Sequence, residues 1–329
     1  MKLIAKLALF SMTVFLLSLL VTSLTYSLDN SAVDLLKKAY SNQRLVSHTG
    51  MLKTEVFLGD KTSSSIVEIQ QKEGKVRTNY KSGTSSGLSI IDDGKKTITI
   101  NSKNNTVVVS SIPDLSNDIS LLLLNYDVIM KGTEKIAERQ ARILQIIPKH
   151  KGNPSIKLWI DIKTFVILKR EYYNSDNTLV SKTFYTQINF NTKINDDVFI
   201  TPINASYLES DLSAEKTTKD GIPFSIFEPK YLPVGYILEG YYLFKPLCGK
   251  GVQLRYTDGL NSISILEVVP PIGWHRMGWF RERGRGMQRC RLIDNLQGRI
   301  IRINRDKLNI AIVGDISENE LQKIADNIK

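Results

Sequence analysis

The chain has 329 residues, of which 42% are hydrophobic and 23% are charged. These fractions are typical of a globular protein and exclude an intrinsically disordered one, and the length suffices for two domains with separate cores. The net charge is +11. Much of it comes from one segment, because between Pro270 and Arg305 nine Arg and no Lys stand against Glu282 and Asp294.

The chain begins with a targeting segment, which we predict over residues 1–27. Two lysines precede an uncharged apolar run from Leu7 to Leu24, and small residues follow at Thr25 and Ser27, where a signal peptidase reads them. The run is also long enough to span a bilayer. A cleaved export signal is the preferred interpretation, and an uncleaved amino-terminal membrane anchor is the alternative. Both place the rest of the chain outside the cytoplasm, in the periplasm or an equivalent extracytoplasmic compartment.

A first domain is predicted over residues 28–202. Apolar residues at helical spacing after Asn30 predict a first helix. Short strands with hairpin turns follow, and a second helix is predicted from Pro113 through Leu124. Helix, strands, helix and strands in this order exclude a repeated βαβ architecture. They favour an α+β fold in which a curled antiparallel sheet holds helices against its concave face.

The last part of this domain, from Ile156 to Pro202, predicts three or four antiparallel strands separated by polar turns. Within it, apolar residues at even spacing predict one strand face. Filling of a core is the default interpretation of such a stripe, and an apolar ligand cavity is the alternative. The residues concerned are Val180, Phe184, Ile188 and Phe190.

Residues 203–221 are rich in Ser, Thr and charged residues, and we predict that they form a linker. A second domain follows over residues 222–329. Its pattern predicts a small antiparallel sheet, in which Asp258-Gly259 forms a hairpin turn. Ser317 and Glu320 have the spacing of a capping box and predict a carboxy-terminal helix that closes the sheet.

The chain contains two cysteines, Cys248 and Cys290, both in the second domain. An exported protein tolerates a disulfide, and an even number of cysteines in one domain favours one. Two separate buried thiols are the alternative, because sequence does not reveal the distance between the two residues.

No residue pattern predicts an enzyme. The histidines, His48, His150 and His275, lack the spacing that gathers metal ligands, so we interpret them as surface or internally hydrogen-bonded residues. The acidic pair Asp92-Asp93 precedes Gly94 and is typical of a turn. No nucleophile, metalloprotease or phosphate-binding motif occurs. We therefore predict no catalytic residue, no metal site and no cofactor.

The Arg-rich segment is the sharpest local feature. Basic residues with interleaved aromatic residues bind nucleic acid in some proteins, but export makes that function improbable here. Docking to an acidic protein or to a phosphate-bearing lipid is the working hypothesis, and a solvated loop is the alternative. The residues expected to make this contact are Trp274, Trp279, Arg281, Arg283, Arg285 and Arg289.

Two sets of short motifs suggest a family. The first set includes Leu158–Asp161, Lys169–Glu171 and Ile194–Phe199, and it resembles the LolA-like group of exported lipoprotein carriers. The second includes Tyr231–Tyr236 and Tyr256–Leu260, and it resembles the carboxy-terminal domain of the MucB/RseB family. Both modules behind an export signal are similar to the arrangement of MucB/RseB proteins.

The resemblance implies an unclosed β-barrel with an apolar interior that is plugged by helices and that senses lipid or lipoprotein-derived signals. It implies that the second domain docks the extracytoplasmic part of a membrane-bound anti-sigma factor. The protein would then restrain an envelope-stress sigma response and have no catalytic activity. A periplasmic lipid or lipoprotein carrier is the alternative function. Contact with the membrane surface and formation of an oligomer stay open.

Overall fold

The computed structural model describes residues 31–111, 119–201, 208–211, 214–245, 249–269, 299–305, 308–314 and 316–329. None of the helices in these ranges is long and apolar enough to cross a membrane. The predicted targeting segment lies outside the described residues.

Within the described ranges, twelve strands form the first sheet, in the order β12-β6-β5-β4-β3-β2-β1-β11-β10-β9-β8-β7. All neighbours are antiparallel except β12 and β6. The sheet is unclosed, because its end strands β12 and β7 are not paired with each other. The strands are β1 (His48–Leu58), β2 (Lys61–Lys72), β3 (Lys75–Tyr80), β4 (Leu88–Asp92), β5 (Lys96–Asn101), β6 (Thr106–Ser111), β7 (Tyr126–Ile136), β8 (Arg139–Pro148), β9 (Ser155–Asp161), β10 (Ile167–Tyr173), β11 (Leu179–Asn189) and β12 (Leu208–Asp211).

Two helices cover part of one face of this sheet: α1, residues 31–45, and α2 (Ser120–Asn125). Apolar residues recur on α1 at the predicted helical spacing, and they pack with Leu122 of α2 against β7 to β10. Pro113, where the second helix was predicted to begin, lies outside the described residues. The buried members of this core on α1 are Ala32, Leu35, Leu36 and Ala39.

A second sheet has six strands in the described residues, in the order β13-β14-β15-β16-β18-β17. A carboxy-terminal helix α3 (Glu318–Asp326) packs on it, and the Ser317 hydroxyl accepts the predicted capping bond from the Glu320 N–H at 3.3 Å. The α+β fold class is confirmed. The strands are β13 (Ala214–Thr217), β14 (Ile237–Phe244), β15 (Lys250–Thr257), β16 (Ser262–Val269), β17 (Arg299–Arg305) and β18 (Leu308–Gly314).

The predicted linker contains two strands that its polar composition did not indicate. In this segment β12 pairs in parallel with β6, and β13 pairs antiparallel with β14. Each therefore adds an edge strand to one of the two sheets. Edge strands tolerate polar sequences, because one side of the strand faces solvent. The domain boundaries themselves stay a prediction.

Candidate functional site

The sheet face that α1 and α2 cover continues without interruption onto β1 to β6. Directly opposite residues of neighbouring strands share a face, and Leu52 lies opposite Val67, which lies opposite Tyr80. Val67 is 8% exposed, and the other apolar residues are half-buried. We call this part of the sheet the open face. Its apolar residues are Leu52, Val56, Val67, Ile69, Tyr80, Leu88, Ile90 and Val108.

The opposite face of β4 to β6 is filled by the chain itself. Ile91, Ile100 and Val107 are almost fully buried there, and Phe199, from the 3₁₀ turn Asp196–Phe199, packs against them. Phe199 has no equivalent on the open face among the described core clusters. The open face of β4 to β6 therefore lacks the cover that Phe199 gives to the opposite face, while Phe57 and Ile66 are half-buried apolar residues on the opposite face of β1 and β2.

The stripe predicted on β11 does not occupy one face. Leu52 lies opposite Tyr185, but Met51 lies opposite Gln187, so Thr186 forms a β-bulge. The extra residue reverses the alternation, so that Ile188 shares the face of Tyr185 and Phe184 lies on the other.

A second register shift places Val180 in a bulge opposite β10. Ile188 and Phe190 pack at one end of the sheet, in a cluster with Trp159 and Tyr185. Ile188 also lines a shallow depression of about 390 Å³, whose other walls are mostly polar. Their role in a ligand cavity stays a prediction, but the single stripe is wrong because of the two bulges.

His48 closes the same end of the sheet and is 1% exposed. Its Nδ1 lies 2.8 Å from the Val46 carbonyl oxygen, and its Nε2 lies 2.7 Å from the Tyr185 hydroxyl. A carbonyl accepts only, so Nδ1 carries the proton and Nε2 accepts from Tyr185. Burial lowers the pKa of His48. The side chain is thus a neutral, hydrogen-bonded residue, and across the described ranges no group of three or more potential metal ligands occurs.

The two sheets meet at a buried polar contact, which we call the junction. The Asp258 side chain is fully buried at the turn between β15 and β16. Its Oδ1 accepts from the N–H groups of Leu260 at 2.9 Å and Asn261 at 2.7 Å, which fixes the turn. Its Oδ2 accepts from the hydroxyl of Tyr126 at 2.5 Å. One carboxylate therefore shapes the turn and binds it to the first sheet.

Amides on both sides extend the junction. Asn125, the last residue of α2, donates from Nδ2 to the backbone carbonyls of Asp258 at 2.9 Å and Gly235 at 3.1 Å. Asn261 donates to the Tyr126 hydroxyl at 2.8 Å and accepts from the Tyr172 hydroxyl at 3.2 Å. Strands β7 and β10, helix α2 and the β15–β16 turn are thus joined in one hydrogen-bonded network.

The electrostatics of the junction keep its donors neutral. Burial, and then the Asp258 charge, raise the pKa of Tyr126, so its hydroxyl stays protonated and donates. The same two causes raise the pKa of Tyr236. None of the ion pairs in the described part of the chain includes Asp258, so hydrogen bonds alone compensate its buried charge.

Gly259 permits this contact, and its replacement is the first test of the junction. Gly259 has φ +91°, and a Cβ built on it lies 2.3 Å from the Leu122 backbone nitrogen. Because the backbone of a buried helix cannot move away from the added methyl group, Gly259→Ala is expected to separate the turn from α2. Gly94→Ala is the matched control, since Gly94 has φ +92° and its nearest neighbour is a flexible Arg44 side-chain atom at 3.8 Å.

Small-angle scattering and limited proteolysis measure the outcome. Both variants carry backbone strain of about 1–3 kcal/mol. If the two variants lose equal amounts of melting temperature and Gly259→Ala keeps its radius of gyration, the close approach of Gly259 to α2 does not hold the sheets together. A larger radius and faster cleavage near the junction are expected for Gly259→Ala alone.

The sequence identified the Asp258-Gly259 turn but not its place between the sheets. One feature of the sequence could have indicated this contact: the polar pair Asn125-Tyr126 directly follows the apolar run Leu121–Leu124. The residues of the Arg-rich hypothesis and both cysteines lie outside the described residues, so their roles stay predictions. They are Trp274, Trp279, Arg281, Arg283, Arg285, Arg289, Cys248 and Cys290.

Comparison with known proteins agrees with the motifs. Residues 62–203 match the family described as the MucB/RseB N-terminal domain. A chain of the complex of Pseudomonas aeruginosa MucA and MucB is 17% identical, with a TM-score of 0.59, over 91% of this chain and 98% of that chain. MucB in complex with MucA(peri) is 18% identical with a TM-score of 0.55, over the same shares of the two chains.

The separate crystal structure of MucB is 17% identical, with a TM-score of 0.57 and coverage of 91% of this chain and 98% of that chain. No curated protein sequence matches. At these identities the structural likeness establishes the fold, and the family match is limited to residues 62–203. The predicted resemblance is thereby confirmed: residues 62–203 match the MucB/RseB amino-terminal domain, and the chain has the fold of MucB over 91% of its length.

Proposed function

We propose that this protein is an exported, non-enzymatic regulator that binds the extracytoplasmic part of a membrane-bound anti-sigma factor. The observation that carries the proposal is the MucB fold over 91% of the chain, because two of the MucB structures are complexes with MucA. The predicted targeting segment supports a periplasmic or equivalent extracytoplasmic location. In this proposal, the second domain and its Arg-rich segment contact the anti-sigma factor.

We further propose that the first domain senses a lipid or an acylated ligand. The open face supports this, since it presents half-buried Leu, Val and Ile side chains in a row next to a helix-covered core. An acyl chain laid across it removes apolar surface from water, which stabilises the complex by roughly 25 cal/mol per Å². On the opposite face of β4 to β6 this gain is smaller, because Phe199 already packs there.

The junction supports a physical connection between ligand and partner sites. Leu122 of α2 is fully buried in the core beside the open face, and the backbone of the same residue contacts Gly259 of the second sheet. A ligand that displaces α2 therefore acts on the β15–β16 turn. A linked pair of sites is what a sensor requires, because the ligand has to change the affinity for the partner.

A lipid or lipoprotein carrier is the second candidate function. The open face alone favours it, since a carrier needs an accessible apolar surface and no partner site. The two functions differ in what the protein retains: a regulator retains an anti-sigma protein, and a carrier retains lipid or acylated protein.

Affinity capture from detergent-extracted membranes tests the proposal. The tagged full chain is expected to retain a membrane protein whose cytoplasmic part binds a sigma factor, identified by mass spectrometry and then reconstituted as a purified extracytoplasmic segment. A variant with Gln at Arg281, Arg283, Arg285 and Arg289 tests the Arg-rich segment directly. Retention of lipid or acylated protein, without binding of any anti-sigma segment, would favour the carrier.

A further inference from the structure

An isolated cation lies at the border of the open face. Arg170 of β10 lies opposite Leu158 of the helix-covered part on one side and opposite Thr183 of β11 on the other. Its side chain is exposed. None of the hydrogen bonds and ion pairs within the described residues includes the Arg170 guanidinium. Unlike Arg139, which is fixed by two bonds of 2.8 Å to Asp161, it has donors available.

A row of hydroxyl groups runs from Arg170 across the sheet. Thr183 lies opposite Thr54, and the two hydroxyl oxygens are 3.0 Å apart. Thr54 in turn lies opposite Ser65. On α1, burial raises the pKa of Tyr40, and the Arg170 charge opposes this rise. These groups form a polar strip that begins at the guanidinium.

An apolar row flanks the polar strip on one side, and a row of Ser181, Val56 and Ser63 flanks it on the other. The apolar row is formed by Tyr185, Leu52, Val67 and Tyr80. On β1 to β6, the strand residues that share this face include no Lys or Arg except Lys61, at the tip of the first hairpin. Arg44 of α1 also reaches this face but is paired with Asp92 at 2.7 Å, so Arg170 is a cation with available donors beside the polar strip.

We propose that Arg170 binds the anionic head group of an amphiphile whose acyl chain lies on the open face. The inference rests on the proposed ligand sensing and adds the charge of the ligand. A carboxylate or phosphate gains charge-assisted bonds from the guanidinium fork, and the hydrogen-bonded pair of Thr183 and Thr54 hydroxyls offers one further neutral donor. A neutral amphiphile gains only the apolar contact.

The position of Arg170 also links this subsite to the junction. Tyr172 lies two residues further along β10 on the same face, and its hydroxyl donates to Asn261 of the second sheet. A head group held by Arg170 thus contacts the strand segment that carries one junction bond. The length of the acyl chain and the charge of the head group would then both affect the contact between the sheets, because their binding places are adjacent.

Displacement of a fluorescent fatty acid from the full mature chain tests the inference, with dodecyl phosphate and dodecanol as competitors below their micelle concentrations. The wild-type protein is expected to bind dodecyl phosphate about tenfold more tightly than dodecanol. Arg170→Gln is expected to remove this preference and to leave dodecanol binding unchanged. Arg142→Gln is the matched control, because Arg142 is exposed on the same face but lies opposite Ile160, in the helix-covered part.

The outcomes separate the two proposals. Equal affinity for both competitors in the wild-type protein, or an unchanged preference in a folded Arg170→Gln, overturns the Arg170 subsite and leaves ligand sensing intact. Absence of any acyl probe binding overturns ligand sensing and the subsite together. Displacement by inorganic phosphate as efficient as that by dodecyl phosphate overturns the amphiphile and indicates a site for a free anion. Circular dichroism and melting temperature verify that each variant is folded.

Discussion

Asp258→Ala is expected to lower the free energy of unfolding by about 3–5 kcal/mol, because each buried donor that loses its acceptor costs about 1–3 kcal/mol. The substitution leaves the Tyr126 hydroxyl and the N–H groups of Leu260 and Asn261 without their acceptor in a site that water does not reach. Because these bonds join the two sheets, the loss should appear as uncoupled unfolding. Urea titration followed by fluorescence and by circular dichroism measures it.

Two further variants define the result. Asp258→Asn keeps an oxygen for the two N–H groups of the turn but loses the charge, so a smaller loss is expected. Asp220→Ala removes an exposed carboxylate outside the junction and should change stability by less than about 0.5 kcal/mol. If Asp258→Ala is no worse than Asp220→Ala and both probes still report one transition, the junction does not hold the sheets together.

Glu267→Gln is expected to stabilise the second sheet at pH 8 by about 3 kcal/mol. Glu267 is fully buried on β16, and both carboxylate oxygens lie 3.1 Å from the Phe227 nitrogen. Burial, assisted by the Glu228 charge and opposed by the Phe227 N–H, raises the pKa of Glu267 from 4.5 to about 7. Gln retains an acceptor for Phe227 and removes the buried charge.

The pH dependence has a definite sign. Because the pKa is higher in the folded protein, the folded state binds a proton that the unfolded state releases, so the stability that Glu267 contributes is greatest below pH 4.5 and is lost as the pH rises to about 7. Urea unfolding at pH 5, 6, 7 and 8 should give a falling series for the wild type and a flatter one for Glu267→Gln. If the free energy of unfolding changed equally with pH in both proteins, the assignment to Glu267 would be wrong.

Glu228 supplies the control of opposite sign. Although burial raises the pKa of its carboxyl, bonds from Lys219 and Tyr241 outweigh this and lower it. The stability that Glu228 contributes is therefore present above its ordinary pKa and is lost as the pH falls below it. Glu228→Gln should lower stability at neutral pH, where Glu267→Gln raises it.

Local patterns in the sequence predicted the parts of the fold that depend on near neighbours in the chain. The apolar spacing on α1, the Ser317–Glu320 cap and the Asp-Gly turn each involve residues within about one or two helical turns of one another. The bulges at Val180 and Thr186 left no such mark, because an extra residue in a strand changes the pairing without changing the composition.

The candidate site was predictable only in part for the same reason. Asn125 and Asp258 are 133 residues apart in the chain, and nothing in either segment names the other as its partner. The open face likewise arises because α1 and α2 cover only some of the strands, which a strand-by-strand alternation does not reveal. Arg170 belongs to one of the family motifs, but the sequence does not show that it lacks an acidic partner in the described part of the chain, because this depends on which residues lie beside it in the sheet.

The place of β12 in the first sheet affects how the protein can be divided for experiments. A fragment that ends at residue 202 lacks β12 and the Asp258 turn, so β6 loses its neighbour and the Asn125 amide loses two carbonyl acceptors. Unpaired strand edges promote aggregation. Poor solubility of such a fragment would then result from the truncation and not from the properties of the domain, so ligand titrations require the full chain.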